Sequence, residues 1–244
     1  MCIKCDRLKQ GVTLVKKILK QFSKTKIIVV IFLLSILGGY LYFHTRLDKI
    51  SDSPTGYSAF NLKEERELFL KIVGQSKKYL EFGSGGSTFE VLKHSQADVT
   101  SVEGSKSWYE HMKSWSLIKN SKRLKLLYVD LGETADWSVP VEKSKQKLWP
   151  GYSAVPFNLS DPQLYDTILI DGRFRVACGI MSIICCPNAV IMIHDFPDRP
   201  KYHILLNFME ITDQAGTLCV FKVKKTIDIK RLQRLYEHYK YIYD

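Results

Sequence analysis

The chain lacks the two paired Cys-x-x-Cys spacings that a structural zinc site needs. Its six cysteines are Cys2, Cys5, Cys178, Cys185, Cys186 and Cys219, and they offer no four-sulfur set. Cys178, Cys185 and Cys186 sit in a mostly apolar segment and read as small buried residues. A dinucleotide fingerprint, G-x-G-x-x-G, is also missing: counting from Gly83, the sixth position is Thr88. Basic excess is missing over most of the length. The net charge of +11 divides into ten Lys/Arg against two Asp within residues 1–50 and 26 basic against 23 acidic residues in the rest. The positive charge is therefore an end effect, suited to an anionic membrane face, and argues against a nucleic-acid partner.

Charge is absent altogether from Ile27 to Phe43, after a lead of eight basic residues within 1–26. Those 17 residues are at the short end of a bilayer-spanning helix, and Tyr40 and Tyr42 suit an interface. No small-residue cleavage site follows, so the run reads as a signal anchor embedded in the lipid bilayer rather than as a cleaved signal peptide. Only Arg46 and Lys49 lie soon after the span, so the charge rule keeps the N-terminus cytoplasmic. The expectation is a single-pass type II protein of the endoplasmic reticulum or Golgi with a lumenal domain; the short span and the sequon at Asn158-Leu-Ser160 agree. The segments are a basic tail (1–26), the anchor (27–43), a linker (44–59) and one domain (60–244).

Within the domain, Asn61 and Glu64 resemble a capping box opening an amphipathic helix that ends near Gly74. Short apolar runs follow at Tyr79–Phe82, Val99–Val102, Leu124–Val129, Thr167–Ile170 and Ala189–Ile193, and helix-compatible stretches separate most of them. This alternation predicts an α/β fold with a doubly wound, mostly parallel sheet covered on both faces. The tail departs from it: Met209–Asp213 and Thr217–Val223 flank Gln214-Ala-Gly216 as a hairpin, which brings the sheet to seven strands, and Ile229–Tyr243 closes as a helix. Gly132–Gln163 has no clear period and is rich in aromatic residues, which is the character of a lid or binding loop.

The chemistry gathers around Glu81-Phe-Gly83-Ser84-Gly85-Gly86-Ser87, a strand end running through glycines into a helix. Glycines let a ligand approach the backbone, and the free N–H groups of the helix start attract electron-rich groups. An acid two residues before the first glycine suits an ammonium group better than a pyrophosphate. Glu103 ends the next strand, where an acid accepts hydrogen bonds from ribose hydroxyls, and Asp130 ends the third, within reach of an adenine amino group. An amino acid joined to a nucleoside satisfies all three.

These residues resemble the class I S-adenosylmethionine-dependent methyltransferases, which are Rossmann-like, over roughly residues 60–224. The resemblance includes Tyr165-Asp166-Thr-Ile-Leu-Ile-Asp171 as the fourth strand and the terminal hairpin. It implies S-adenosylmethionine as cofactor, with Glu81, Gly83, Ser84, Gly85, Ser87, Glu103 and Asp130 around it. Ser87 stands where many members have a third alternating glycine.

The acceptor side is placed at Asp171 after the fourth strand and at His194 and Asp195 after the fifth, since strand ends of an open sheet converge on one crevice. These three suit general-base removal of a proton from an oxygen or nitrogen nucleophile. Asp171 and Asp195 equally suit a divalent metal such as Mg²⁺, as in the metal-dependent O-methyltransferases that the sequence resembles in this respect. We place the base first. Arg173, Arg175 and Arg199 either hold an anionic substrate group or pair with neighbouring acids. The methyl acceptor itself is not specified. A second reading is a catalytically inactive methyltransferase-like module tethered to the membrane for interaction. An NAD-dependent reductase is disfavoured by Glu81 and Thr88.

Overall fold

The computed structural model describes residues 60–159 and 165–243. The anchor at 27–43, the basic tail, the linker and Ser160 of the sequon lie outside the described residues. Among the described residues no helix is long and apolar enough to cross a membrane.

Helix α1 (Lys63–Val73) opens the domain. Its cap lies one residue later than the sequence suggests: Leu62 is the N-cap, and its N–H donates to Glu65 rather than Glu64. Strand β1 (Lys78–Phe82), helix α2 (Gly86–His94) and strand β2 (Asp98–Glu103) follow. Between β2 and β3 (Leu124–Tyr128) two helices meet at Trp115, α3 (Lys106–Ser114) and α4 (Ser116–Asn120). A two-stranded ribbon, β4 (Thr134–Ala135) with β5 (Val139–Pro140), and a short helix α5 (Pro150–Ala154) lead to β6 (Thr167–Ile170). Helix α6 (Arg175–Cys185), β7 (Val190–Ile193), β8 (Met209–Ala215), β9 (Leu218–Val223) and α7 (Ile229–Tyr239) complete the chain.

The main sheet has seven strands in the order β3-β2-β1-β6-β7-β9-β8. The first five run parallel, and β9 joins β7 antiparallel. Parallel strands covered on both faces must be apolar throughout, and β6 and β7 (Thr-Ile-Leu-Ile and Val-Ile-Met-Ile) are nearly so. The edge strand β8 carries Glu210 and Asp213 and breaks its register with β9 between Ile211 and Asp213.

Two hydrophobic clusters pack against the sheet, and one of them takes in part of the connection expected to be a lid. Trp149 and Tyr152 are buried against Phe174, and Trp149 Nε1 donates to the Leu131 carbonyl at 3.0 Å. Burying such rings is worth about 2 kcal/mol each, so this half of the connection belongs to the core. Its other half, the ribbon, stays outside; Trp137 at its tip is 86% exposed.

The chain turns outward after β1 and returns at β6, so the topological switch lies between these two neighbours. There the backbones nearly touch. Gly83 has φ +97°, and a Cβ on it would lie 2.7 Å from the Gly172 Cα. A Cβ on Gly172 would collide with the Tyr152 hydroxyl and stand 2.8 Å from the Gly83 nitrogen. We expect Gly172→Ala to destabilise the domain by about 2 kcal/mol, read as a lower urea midpoint at unchanged slope.

Candidate active site

Glu81, at the end of β1, is fully buried beneath the glycine turn rather than on its surface. Four hydroxyls converge on its carboxylate: Ser101 Oγ at 2.7 Å, Ser87 Oγ at 2.8 Å, Tyr79 Oη at 3.1 Å and Thr88 Oγ1. Ser84 Oγ extends the network to Ser101 Oγ at 2.5 Å. Burial pushes the carboxyl up to about 7, against the pull of these hydroxyls. The network ties β1 to β2 and to the first turn of α2, and so fixes the turn's shape. Trp108 Nε1 holds the turn from the other side through the Ser84 carbonyl, at 2.8 Å. Above it, Gly85 faces open space: a Cβ there would meet nothing within 4 Å.

Glu103, at the end of β2, is also buried. Its Oε1 accepts from Gly104 N and Ser105 N, both at 2.7 Å, and from Ser138 Oγ of the ribbon at 2.6 Å. Burial raises its carboxyl, and these donors oppose the rise. Asp130, after β3, accepts from Gly132 N at 3.0 Å and pairs with Lys145 Nζ at 3.3 Å. The Gly132 N–H and then Lys145 hold it below the usual carboxylate range. Asp130 borders a cavity of about 400 Å³ lined also by Lys106, Tyr128 and Thr134. Glu81, Gly83, Ser84, Gly85, Ser87, Glu103 and Asp130 thus all lie at the C-terminal ends of β1, β2 and β3.

Asp171, His194 and Asp195 meet at the ends of β6 and β7. Their ligand-type atoms lie within 4.8 Å of one another. His194 is buried; its Nδ1 is 3.1 Å from Asp171 Oδ1 and 3.7 Å from Asp195 Oδ1. Its Nε2 has no hydrogen-bond partner among the described residues but lies 3.6 Å from Oε2 of Glu65 in α1. Burial works against charge on this imidazole, yet the bond to Asp171 and the charges of Asp171, Asp195 and Glu65 raise it above its ordinary value. Asp195 has φ +57°, left-handed backbone that a non-glycine residue adopts at a cost, which is common where a site is held rigidly.

Arg175, almost wholly buried, knits this group together. Its Nη2 is 3.2 Å from Asp171 Oδ1, its Nη1 is 3.2 Å from Asp195 Oδ2, and its Nε donates to the Gly172 carbonyl at 3.0 Å. Of the two roles open to it, pairing with acids is the one found. Arg175 gives the cluster its own cation at Asp171 Oδ1 and Asp195 Oδ2, while Asp171, His194 and Asp195 together keep a spacing that suits a metal ion.

Glu65 escaped sequence reasoning because an acid in a first helical turn normally faces water. Here its Oε1 accepts from Thr217 N at 2.8 Å and Thr217 Oγ1 at 2.9 Å, 152 residues away. No local signal announces such a partner. Ser101 and Ser138 were missed for the same reason, whereas Asp171, His194 and Asp195 were found because strand ends converge.

A scan against protein-family models gives no match, and neither does a search of curated proteins. Among solved structures, a methyltransferase-like protein from Silicibacter pomeroyi is 27% identical, with TM-score 0.66, over 75% of this chain and 98% of its own. The fold is methyltransferase-like. Two more distant resemblances are the O-methyltransferase TomG from Streptomyces achromogenes, solved with SAM, and an O-methyltransferase from Bacillus cereus, solved with SAH. The first is 13% identical at TM-score 0.46, over 68% of this chain and 82% of its own. The second is 12% identical at TM-score 0.46, over 74% and 88%.

The Glu81 site makes stability depend on pH. The folded carboxyl titrates near 7, above an unfolded glutamate, so its stabilisation is complete below the unfolded value and is lost as pH rises through about 7. Full loss amounts to about 3 kcal/mol. In Glu81→Gln this part of the slope disappears. Urea unfolding of both proteins from pH 4 to 8 checks it: their difference in unfolding free energy shifts in the variant's favour as pH rises.

Proposed function

We propose that the chain is an S-adenosylmethionine-dependent methyltransferase acting on an oxygen or nitrogen nucleophile, anchored in a membrane by residues 27–43 with its domain lumenal. The single observation that carries the activity is the glycine turn at the topological switch. Its Gly85 face is open, and acids stand at three successive strand ends. The methionine portion lies along the turn, the ribose hydroxyls reach Glu103, and the adenine sits at the cavity beside Asp130. The buried Glu81 acts through the turn that it shapes.

The cofactor supplies an electrophilic methyl group on a sulfonium. The protein's part is to hold the nucleophile in line with that methyl and to take its proton. The Asp171 and Asp195 side chains are 26% and 30% exposed, and Asp171, whose Oδ1 meets the His194 ring at 3.1 Å, is the group that takes the proton. His194 stands behind it with carboxylates on both ring nitrogens, and Arg175 orients both aspartates. His194 and Asp195 thus serve the reaction by fixing Asp171 and its charge. No step runs through a metal.

Calorimetry with S-adenosylmethionine on the full-length chain tests the reading. We expect micromolar binding, weakened at least about tenfold in Gly85→Ala at unchanged melting temperature, because that Cβ fills the ligand's space and touches no protein atom. Undetectable binding at millimolar cofactor would overturn the assignment. Topology has a separate test. Asn158 is exposed, so protein expressed in a eukaryotic secretory pathway is expected to shift in mobility on glycosidase treatment, and Asn158→Gln to abolish the shift.

A further inference from the structure

The ribbon of β4 and β5 meets the crevice at Thr134, which lines the cavity beside Asp130, and at Glu103, the carboxylate assigned to the ribose. Glu103 Oε1 already takes two backbone donors from its own turn, Gly104 N and Ser105 N. The third donor, Ser138 Oγ, comes from 35 residues away. A ribose hydroxyl approaching Oε1 competes with Ser138, since the two backbone donors are fixed by the turn.

The ribbon is built to let go. Trp137 and Ser138 are consecutive non-glycine residues at φ +61° and +59°, and L-residues adopt this conformation only at a cost. Packing does not repay that cost at Trp137, which is almost wholly exposed. The ladder beneath is two residue pairs long, Thr134 with Pro140 and Ala135 with Val139, and Pro140 has no N–H to give it. The flanks, by contrast, are fixed: Leu131 and Trp149 are buried and joined by the indole hydrogen bond. The ribbon is closed at its base by Val141 N–H donating to the Glu133 carbonyl at 3.0 Å, and latched at its tip by one charge-assisted hydrogen bond to Glu103.

We propose that Thr134–Pro140 is an autoinhibitory strap, in which the Ser138 hydroxyl occupies the ribose-binding oxygen of Glu103 until the cofactor displaces it. This rests on the assignment of the crevice to S-adenosylmethionine. Closed, the strap reduces apparent affinity by the fraction of molecules that are open. Displaced, it releases the strained backbone at Trp137 and Ser138.

The test is calorimetry with S-adenosylhomocysteine on the full-length protein and on Ser138→Ala, joined to amide hydrogen exchange over residues 133–141. The variant is expected to bind about three- to tenfold more tightly, because it loses the competitor and no cofactor contact. In the wild type, ligand is expected to speed exchange across the ribbon. Unchanged or weaker binding by Ser138→Ala, with the wild type binding normally, overturns the strap and leaves the cofactor assignment standing. Slower ribbon exchange on binding also overturns it, since that is a lid that closes. Binding to neither protein overturns both readings.

Discussion

A carboxylate buried without a cation is the constraint on which the rest of the crevice depends. Among the described residues no lysine or arginine pairs with Glu81; it is kept in the core by four hydroxyls drawn from β1, β2 and α2. Each hydroxyl must point inward, and that requirement fixes where α2 begins relative to the two strands. The glycine turn takes its path from this network. Gly83 then has nowhere to go but against Gly172, and the turn after β1 is locked to the turn after β6. Both halves of the crevice inherit their spacing from one polar cluster in the core.

The two acid-rich groups of the crevice solve the burial of charge in different ways. Around Glu81 and Glu103 the partners are neutral donors, and burial raises both carboxyls. At the ends of β6 and β7 the partners are charged: Arg175 pairs with two aspartates, and three acids surround His194. Neutral donors make a surface that still accepts polar ligand groups. Charged partners make a rigid unit in which Asp171 and Asp195 both stay partly exposed.

Much of this was legible in the sequence, because the controlling patterns are local. Short apolar runs set the strands to within a residue or two, and Glu81, Glu103, Asp130, Asp171 and His194 stand at or just beyond strand ends, where residue counting finds them. What escaped depends on distant partners. The Leu62–Glu65 cap was read one residue early because Asn61 is the better capping residue by type, while Glu65 is drawn inward by Thr217. The region from Gly132 was read as one loop, yet Trp149 and Tyr152 carry its second half into the core and only the ribbon remains outside. An aperiodic, aromatic stretch does not declare which of its rings will be buried, since that is decided by the shape of the gap beside Phe82 and Phe174.

The outermost strands have a consequence for how the domain keeps to itself. β8 presents exposed acidic residues and slips register midway, and β3, at the opposite edge, carries an exposed Lys125. An incoming strand would meet a kink on one side and an ammonium on the other. Neither border offers a straight, neutral template, so growth of the sheet from one molecule into the next is disfavoured at both margins.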